Sequence, residues 1–173
     1  MISTSEQSYG DQAWGGPYST YVRRLGGSTN AEFEPVLEAL PYGAFAIDVL
    51  GRVLCVNQRY AILTGVARGM TLEEVIAVCD IRDLSHRRLE EHELPEAQVL
   101  REGEEIGQSL LRMRSPIDGR EIVVASDCRP VRGLDGRVIG AVVIAREISE
   151  EVALAIGVRQ VNEARVPDRV SVG

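Results

Sequence analysis

Apolar and polar residues recur at two different periods along this chain, and the change of period divides it into elements. Phe33, Val36, Leu37 and Leu40 fall at helical spacing and predict a short amphipathic helix over 31–40. Asn30 is its candidate N-cap, and Pro35 must lie in its first turn or bend it. Pro41-Tyr42-Gly43 breaks the pattern, and two short apolar runs follow, near 44–49 and 52–56, joined through Val49-Leu50-Gly51. Asn57 is placed to cap a helix over 58–64, and Gly65 to end it in the left-handed region. Short helical pieces are expected around Leu72, Val75, Ile76 and Leu84. Pro95 suits the first turn of a helix that runs to about Arg101 and stops at Gly103. The last third reads as three strands, 107–114, 120–131 and 137–148, with Asp118-Gly119 and Asp135-Gly136 as hairpin turns. The order β-β, helices, β-β-β predicts an α+β fold around a five-stranded antiparallel sheet.

Both parities of the later strands are apolar. Ile122, Val124 and Cys128 share one face with Ala141, Val143 and Ala145, while Val123, Ala125, Val142 and Ile144 share the other. A strand apolar on both sides has both sides covered. The cover is either the chain's own 31–40 helix or a second copy of the chain, which makes a homodimer an expectation. After the sheet, Ser149 is placed to cap a terminal helix over 149–164, and Glu150 and Glu151 suit the positive end of its dipole. Ile148, Val152, Ala155 or Ile156, and Val161 form either a coiled-coil seam or a face that packs back on the domain. Gly157 weakens that helix by about 1 kcal/mol relative to Ala.

A chain of 173 residues with 45% hydrophobic and 26% charged positions is an ordinary single globular domain. The expected organisation is a disordered tail over 1–30, a domain over 31–148, and a C-terminal helix and tail over 149–173. In the tail, Tyr9, Trp14, Tyr18 and Tyr21 form a candidate partner-binding strip. The formal charge is −7 and no basic stripe occurs, which argues against nucleic acid. Every basic residue is Arg, as in proteins of GC-rich bacteria. Three dispersed cysteines, Cys55, Cys79 and Cys128, have no metal-type spacing and are expected as buried thiols. The first residues are polar and no apolar run approaches membrane-spanning length, so a cytoplasmic protein is expected.

The punctuation resembles that of the PAS (Per–Arnt–Sim) sensor family over about 105 residues, from Leu40 to Glu150. The resemblance rests on Leu40-Pro41-x-Gly43, on Asp48-x-x-Gly51-Arg52 before Val56-Asn57, and on Leu63-Thr64-Gly65. It continues through Glu93-Leu94-Pro95 and Arg101-Glu102-Gly103-Glu104, then Asp118-Gly119-Arg120, Arg129-Pro130-Val131 and Asp135-Gly136-Arg137-Val138-Ile139-Gly140. The family closes with Asp-Ile-Thr; here Glu147-Ile148-Ser149 keeps an acid and a hydroxyl.

This resemblance implies a cupped sheet whose helices close one face over a small cavity. Its lining would be Ile122, Val124, Ser126, Cys128, Ala141, Val143 and Ala145, aliphatic apart from Ser126 and Cys128. Dimerisation in the family commonly uses the outer sheet face with an N-terminal helix, here Val123, Ala125, Val142, Ile144 and helix 31–40. A cavity of this kind suits a small apolar ligand, and a filled one leaves an interaction domain. The expectation is a stand-alone signalling module in a bacterial regulatory pathway, without a bound cofactor and without enzymatic activity.

Other chemistries fit the same residues less well. Flavin is disfavoured because Val124 and Ala145 stand where the light-sensing branch carries amides, and Cys79 lacks that branch's context. Haem is the alternative: His92 precedes Gly103 by the eleven residues of the oxygen-sensing members, with Arg112 near their distal Arg. Against it, Pro95 leaves His92 on a loop before the helix, and His86 is weaker still. Cys79, Asp80 and Asp83 match no metal-ligand spacing rule. Strand alternation sends Asp127 away from Ser126 and Cys128, and Asp118 and Asp135 read as turn formers. A small cone-shaped α+β isomerase or dehydratase is a further alternative. It requires an acid–base pair in the cavity, for which Asp48 is the one candidate at a strand end.

Overall fold

The computed structural model describes the backbone of residues 30–164 and the side chains of 33–160. The aromatic strip of the tail and the side chain of Val161 lie outside the described residues. The elements are α1 (Asn30–Glu38), β1 (Gly43–Asp48), β2 (Val53–Val56), α2 (Gln58–Thr64), α3 (Leu72–Cys79), a 3-10 turn (Glu91–Glu93), α4 (Pro95–Glu102), β3 (Ile106–Arg114), β4 (Glu121–Arg132), β5 (Val138–Ile148) and α5 (Glu150–Ala164). The strands form one antiparallel sheet in the order β2-β1-β5-β4-β3, the α+β arrangement expected.

Short polar side chains set the hairpins. Asp48, Asp118 and Asp135 each accept a hydrogen bond from the backbone N–H two residues on, which closes the turn at its entrance. Asp48 also accepts from the Arg52 N–H, so its carboxylate is consumed by the turn. Helix α2 is capped by Asn57 and ends at Gly65 in the left-handed region. Helix α3 starts with a full capping box between Thr71 and Glu74.

Two elements differ from the sequence reading. Helix α1 already includes Asn30, so Pro35 falls beyond its first turn, and the helix closes at Glu38, two residues before Leu40. Leu84 lies in a turn and not in a helix. There the Asp83 carboxylate accepts from the N–H groups of Ser85 and Arg87, and this local bonding displaces the helical ladder.

The core is double. On the inner face, α2, α3 and α4 bury Phe45, Ile47, Val124 and Val143 with their neighbours. On the outer face, Leu37 and Leu40 at α1 cover Ala44, Ala46, Val142 and Ile144. Helix α5 folds back over β4, where Val123 and Ala125 are buried. Its contact residue Ala153 is fully buried, and a Cβ placed on Gly157 would sit 3.7 Å from Leu84. The helix therefore lies back on the domain through its small residues, while Val152, Leu154 and Val158 stay exposed. Arg112 anchors its start through Glu150, and Gln160 donates to the Gln108 carbonyl near its end. No described helix is long and apolar enough to cross a membrane.

Candidate functional site

Strand alternation places the seven expected lining residues together on the inner face. Ile122, Val124, Cys128, Ala141, Val143 and Ala145 all belong to the main core, and Ser126 is buried beside them. Across the sheet, Ser126 sits opposite Ala145, and Cys128 opposite Val143. The helices supply the facing wall: Tyr60 from α2, Val75 and Ile76 from α3, Val99 from α4. Tyr60 stacks on Phe45 with ring centroids 4.8 Å apart. A Cβ on Gly43 would meet the Tyr60 ring at 3.0 Å, so the absence of a side chain there seats the ring.

The interior is not purely aliphatic. Glu96, in the first turn of α4, is only 5% exposed, and the sequence reading misses it. Its Oε2 has no hydrogen-bond partner, and neither has Ser126 Oγ. Burial pushes the Glu96 carboxyl up to about 7, opposed only by a hydrogen bond from its own backbone N–H. The signal is present in the spacing: Glu96 stands three residues before buried Val99, on the same helix face. A glutamate near a helix start reads by default as solvated and dipole-stabilised, and that default hides it.

The thiols are inert by the same physics. Cys55, Cys79 and Cys128 are free and buried. Burial raises Cys79 to about 12, and its Sγ donates to the Thr64 carbonyl at 3.5 Å. Burial raises Cys55 to about 11 and moves Cys128 and the Tyr60 phenol upward as well.

The remaining candidates are dispersed. His92 lies on the 3-10 turn with its side chain 70% exposed, beside Glu90. Arg112 points away from the interior, where its guanidinium holds Glu121 and Glu150 and donates to the Leu84 carbonyl. The two residues of the haem reading are therefore not brought together. His86 sits at the surface 3.9 Å from Glu121. Asp80 pairs with Arg82 and Asp83 with Arg87, while Cys79 is buried apart from both. Among the described residues no three His, Cys, Asp or Glu side chains converge on a metal-sized site. Asp127 is on the outer face and accepts from the Gln108 N–H.

Among the described residues, hollows at the surface include the following two. One, of about 450 Å³, lies between the end of β5 and α5 and is lined by Arg146, Ile148, Val152, Ala155, Ile156 and Arg159 among others. The second, of about 550 Å³, lies between the start of β1, α2 and the end of β5, beside Tyr42, Arg59, Ile62 and Leu63.

No curated protein matches the chain. Solved structures match in fold. The PAS domain of BvgS from Bordetella pertussis is 19% identical, with 78% of this chain and 99% of that chain covered at a TM-score of 0.48. The PAS domain of the fruit-fly ELK potassium channel is 9% identical, with 71% and 99% covered at a TM-score of 0.53. The Rhodobacter sphaeroides LOV protein is 15% identical, with 71% and 70% covered at a TM-score of 0.52. For the latter two, at these identities, the likeness is one of fold. A family model described as the PAS fold matches residues 37–153, which span every strand and the start of α5. With its strand order and inserted helices, this chain belongs to the PAS-fold family.

Proposed function

We propose that this PAS domain is a signalling module. Its input is a small, largely apolar ligand taken up between the inner sheet face and helices α2–α4. Its output is a changed association of the outer side, α1 and α5, with a second copy of the chain. Members of the family are typically non-catalytic sensor modules, and the inner wall offers packing surface with few polar atoms.

One observation carries the reading: the sheet is covered on both faces, and its aliphatic inner side retains an unpartnered Ser126 hydroxyl. Buried hydroxyls ordinarily find a partner, so this one is available to a ligand's polar group. On the outer side, α1 and α5 already cover Val123, Ala125, Val142 and Ile144. A second copy therefore meets the helices, where Val152, Leu154 and Val158 are exposed. A ligand biases such an association only by binding one arrangement of sheet and helices better than the other.

The test is native mass spectrometry of the purified full chain, with its absorption spectrum recorded alongside. The expected result is twice the chain mass plus a small mass that is lost on denaturation. A bare single-chain mass at all concentrations overturns the reading, and a Soret band replaces it with the haem alternative.

A further inference from the structure

Among the described residues, Glu96 is the carboxyl that the fold buries on its inner face without a counter-ion. It is the second residue of α4, beside buried Pro95 and one turn before buried Val99. One oxygen accepts from its own backbone N–H, and the other is unpartnered. Every packed element offers it a neutral neighbour. β4 presents the Cys128 thiol, and α2 presents the Tyr60 phenol. The helix also packs on β5 and β3, whose inner-face residues in this core, Ala141, Val143, Ala145, Leu111 and Met113, carry no charge. The carboxylate of Glu93, in the preceding 3-10 turn, is held at the surface by Arg87. Asp127, the nearest acid along β4, belongs to the opposite face, where it accepts from the Gln108 N–H.

A carboxylate in these surroundings has two ways to be stable: it keeps its proton, or it reaches water. Its helix is suited to the second. α4 has eight residues, of which only Pro95, Glu96 and Val99 are buried. Its end is tied through the Gly103 carbonyl, which accepts from Arg132 at 2.6 Å. Its start is held by the burial of Pro95 and Glu96 and by Gln98 Nε2, which donates to the Glu93 carbonyl at 2.9 Å, so a tilt of the first turn breaks one tether and uncovers two residues.

We propose that the interior is a proton-responsive site, in which Glu96 gives its proton to solvent as the first turn of α4 lifts from β4. This rests on the reading of the interior as the module's input and names the proton as one thing to which that input responds. Protonated, Glu96 keeps α4 seated on Cys128 and Val124. Ionised, it draws water under the helix and loosens the wall that faces the inner sheet. Because burial raises the carboxyl to about 7, the exchange falls in the neutral range.

The test is a titration of the full chain by NMR, following the side-chain carboxyl carbon of Glu96 and the backbone amides of α4 and β4. The Glu96→Gln variant assigns the carboxyl signal. The expected result is a carboxyl midpoint more than a unit above that of ordinary glutamates. Amide shifts in residues 95–102 and around Cys128 share that midpoint, and they vanish in Glu96→Gln. An ordinary glutamate midpoint, or a raised one with unmoved α4 and β4 amides, overturns the proposal. The wild-type titration decides the matter if the variant does not fold. A bound small mass in the native spectrum together with a flat titration defeats the proton site alone. A shared raised midpoint in a chain that binds no small molecule defeats the ligand reading alone.

Discussion

Replacing Asn57 is expected to unfasten three elements at once. Its side chain is 1% exposed and makes four hydrogen bonds. Oδ1 accepts from Tyr60 N at 3.0 Å, capping α2, and from Ala44 N at 2.9 Å, at the start of β1. Nδ2 donates to the carbonyls of Leu37 at 3.0 Å, in α1, and Tyr42 at 2.8 Å. In Asn57→Ala the Leu37 carbonyl keeps a bond from Leu40 N, whereas Ala44 N, in a fully buried residue, has no substitute. Loss of the cap costs about 1 kcal/mol. A buried group left unsatisfied costs about 1–3 kcal/mol, and Ala44 N is such a group. Together with the lost cap the expected loss is about 2–4 kcal/mol, a large share of the ~5–15 kcal/mol that holds a domain together.

The assay is urea unfolding followed by circular dichroism, with midpoint and slope fitted together. Two further variants separate the cap from the clamp. Asn57→Ser keeps a capping oxygen and should recover about 1 kcal/mol over Ala. Asn57→Asp keeps Oδ1 but turns a second oxygen toward the Leu37 and Tyr42 carbonyls, so it should be no better than Ala. A loss below about 1.5 kcal/mol for Ala, or a near-native Asp variant, would refute the view that this amide fastens α1, β1 and α2 together.

Four other outcomes follow from the same geometry. Glu96→Gln should remove a pH dependence of stability. The folded carboxyl, raised from 4.5 to about 7, stabilises the wild type fully below its unfolded value and loses that contribution as pH rises through about 7. At ~1.4 kcal/mol per unit, the variant should exceed the wild type by about 3 kcal/mol at pH near 8 and match it in acid, as read by urea midpoints. Gly140→Ala should cost about 3 kcal/mol or more, since a Cβ there would lie 2.3 Å from the Ile47 carbonyl oxygen and would part β1 from β5. Glu150→Gln should lower amide protection in α5 while leaving the sheet protected. Because Arg112 holds the Glu150 carboxyl below its ordinary range, the same loosening should appear in the wild type as pH falls through that lowered value. Cys55, Cys79 and Cys128 should resist a thiol reagent in the native protein at mildly alkaline pH, and all three should react once it is unfolded.

The strands are legible in the sequence because their information is local. Asp118-Gly119 and Asp135-Gly136 name their own hairpins, and the alternation through β4 and β5 sorts Val124 from Val123 without knowledge of what covers either. Asn57 is legible as a cap, because its partner Tyr60 is three residues away. Its other role is not, because Leu37 lies 20 residues off and Tyr42 15. The same limit applies to α5. Its large apolar residues suggest a seam, but Ala153 and Gly157 decide the packing, since small side chains let the helix approach the sheet where Arg112 anchors it.

Glu96 is the most instructive miss. A glutamate in a helix's first turn is a solvated residue on every local criterion, and only the placement of α4 over β4 buries it. An interior shaped for stability alone would carry an apolar side chain at 96 and Ala at 126. Each unsatisfied polar group instead costs about 1–3 kcal/mol. Two such groups on one inner face, in a fold otherwise consistent from turn to core, mark where this interior does something besides pack.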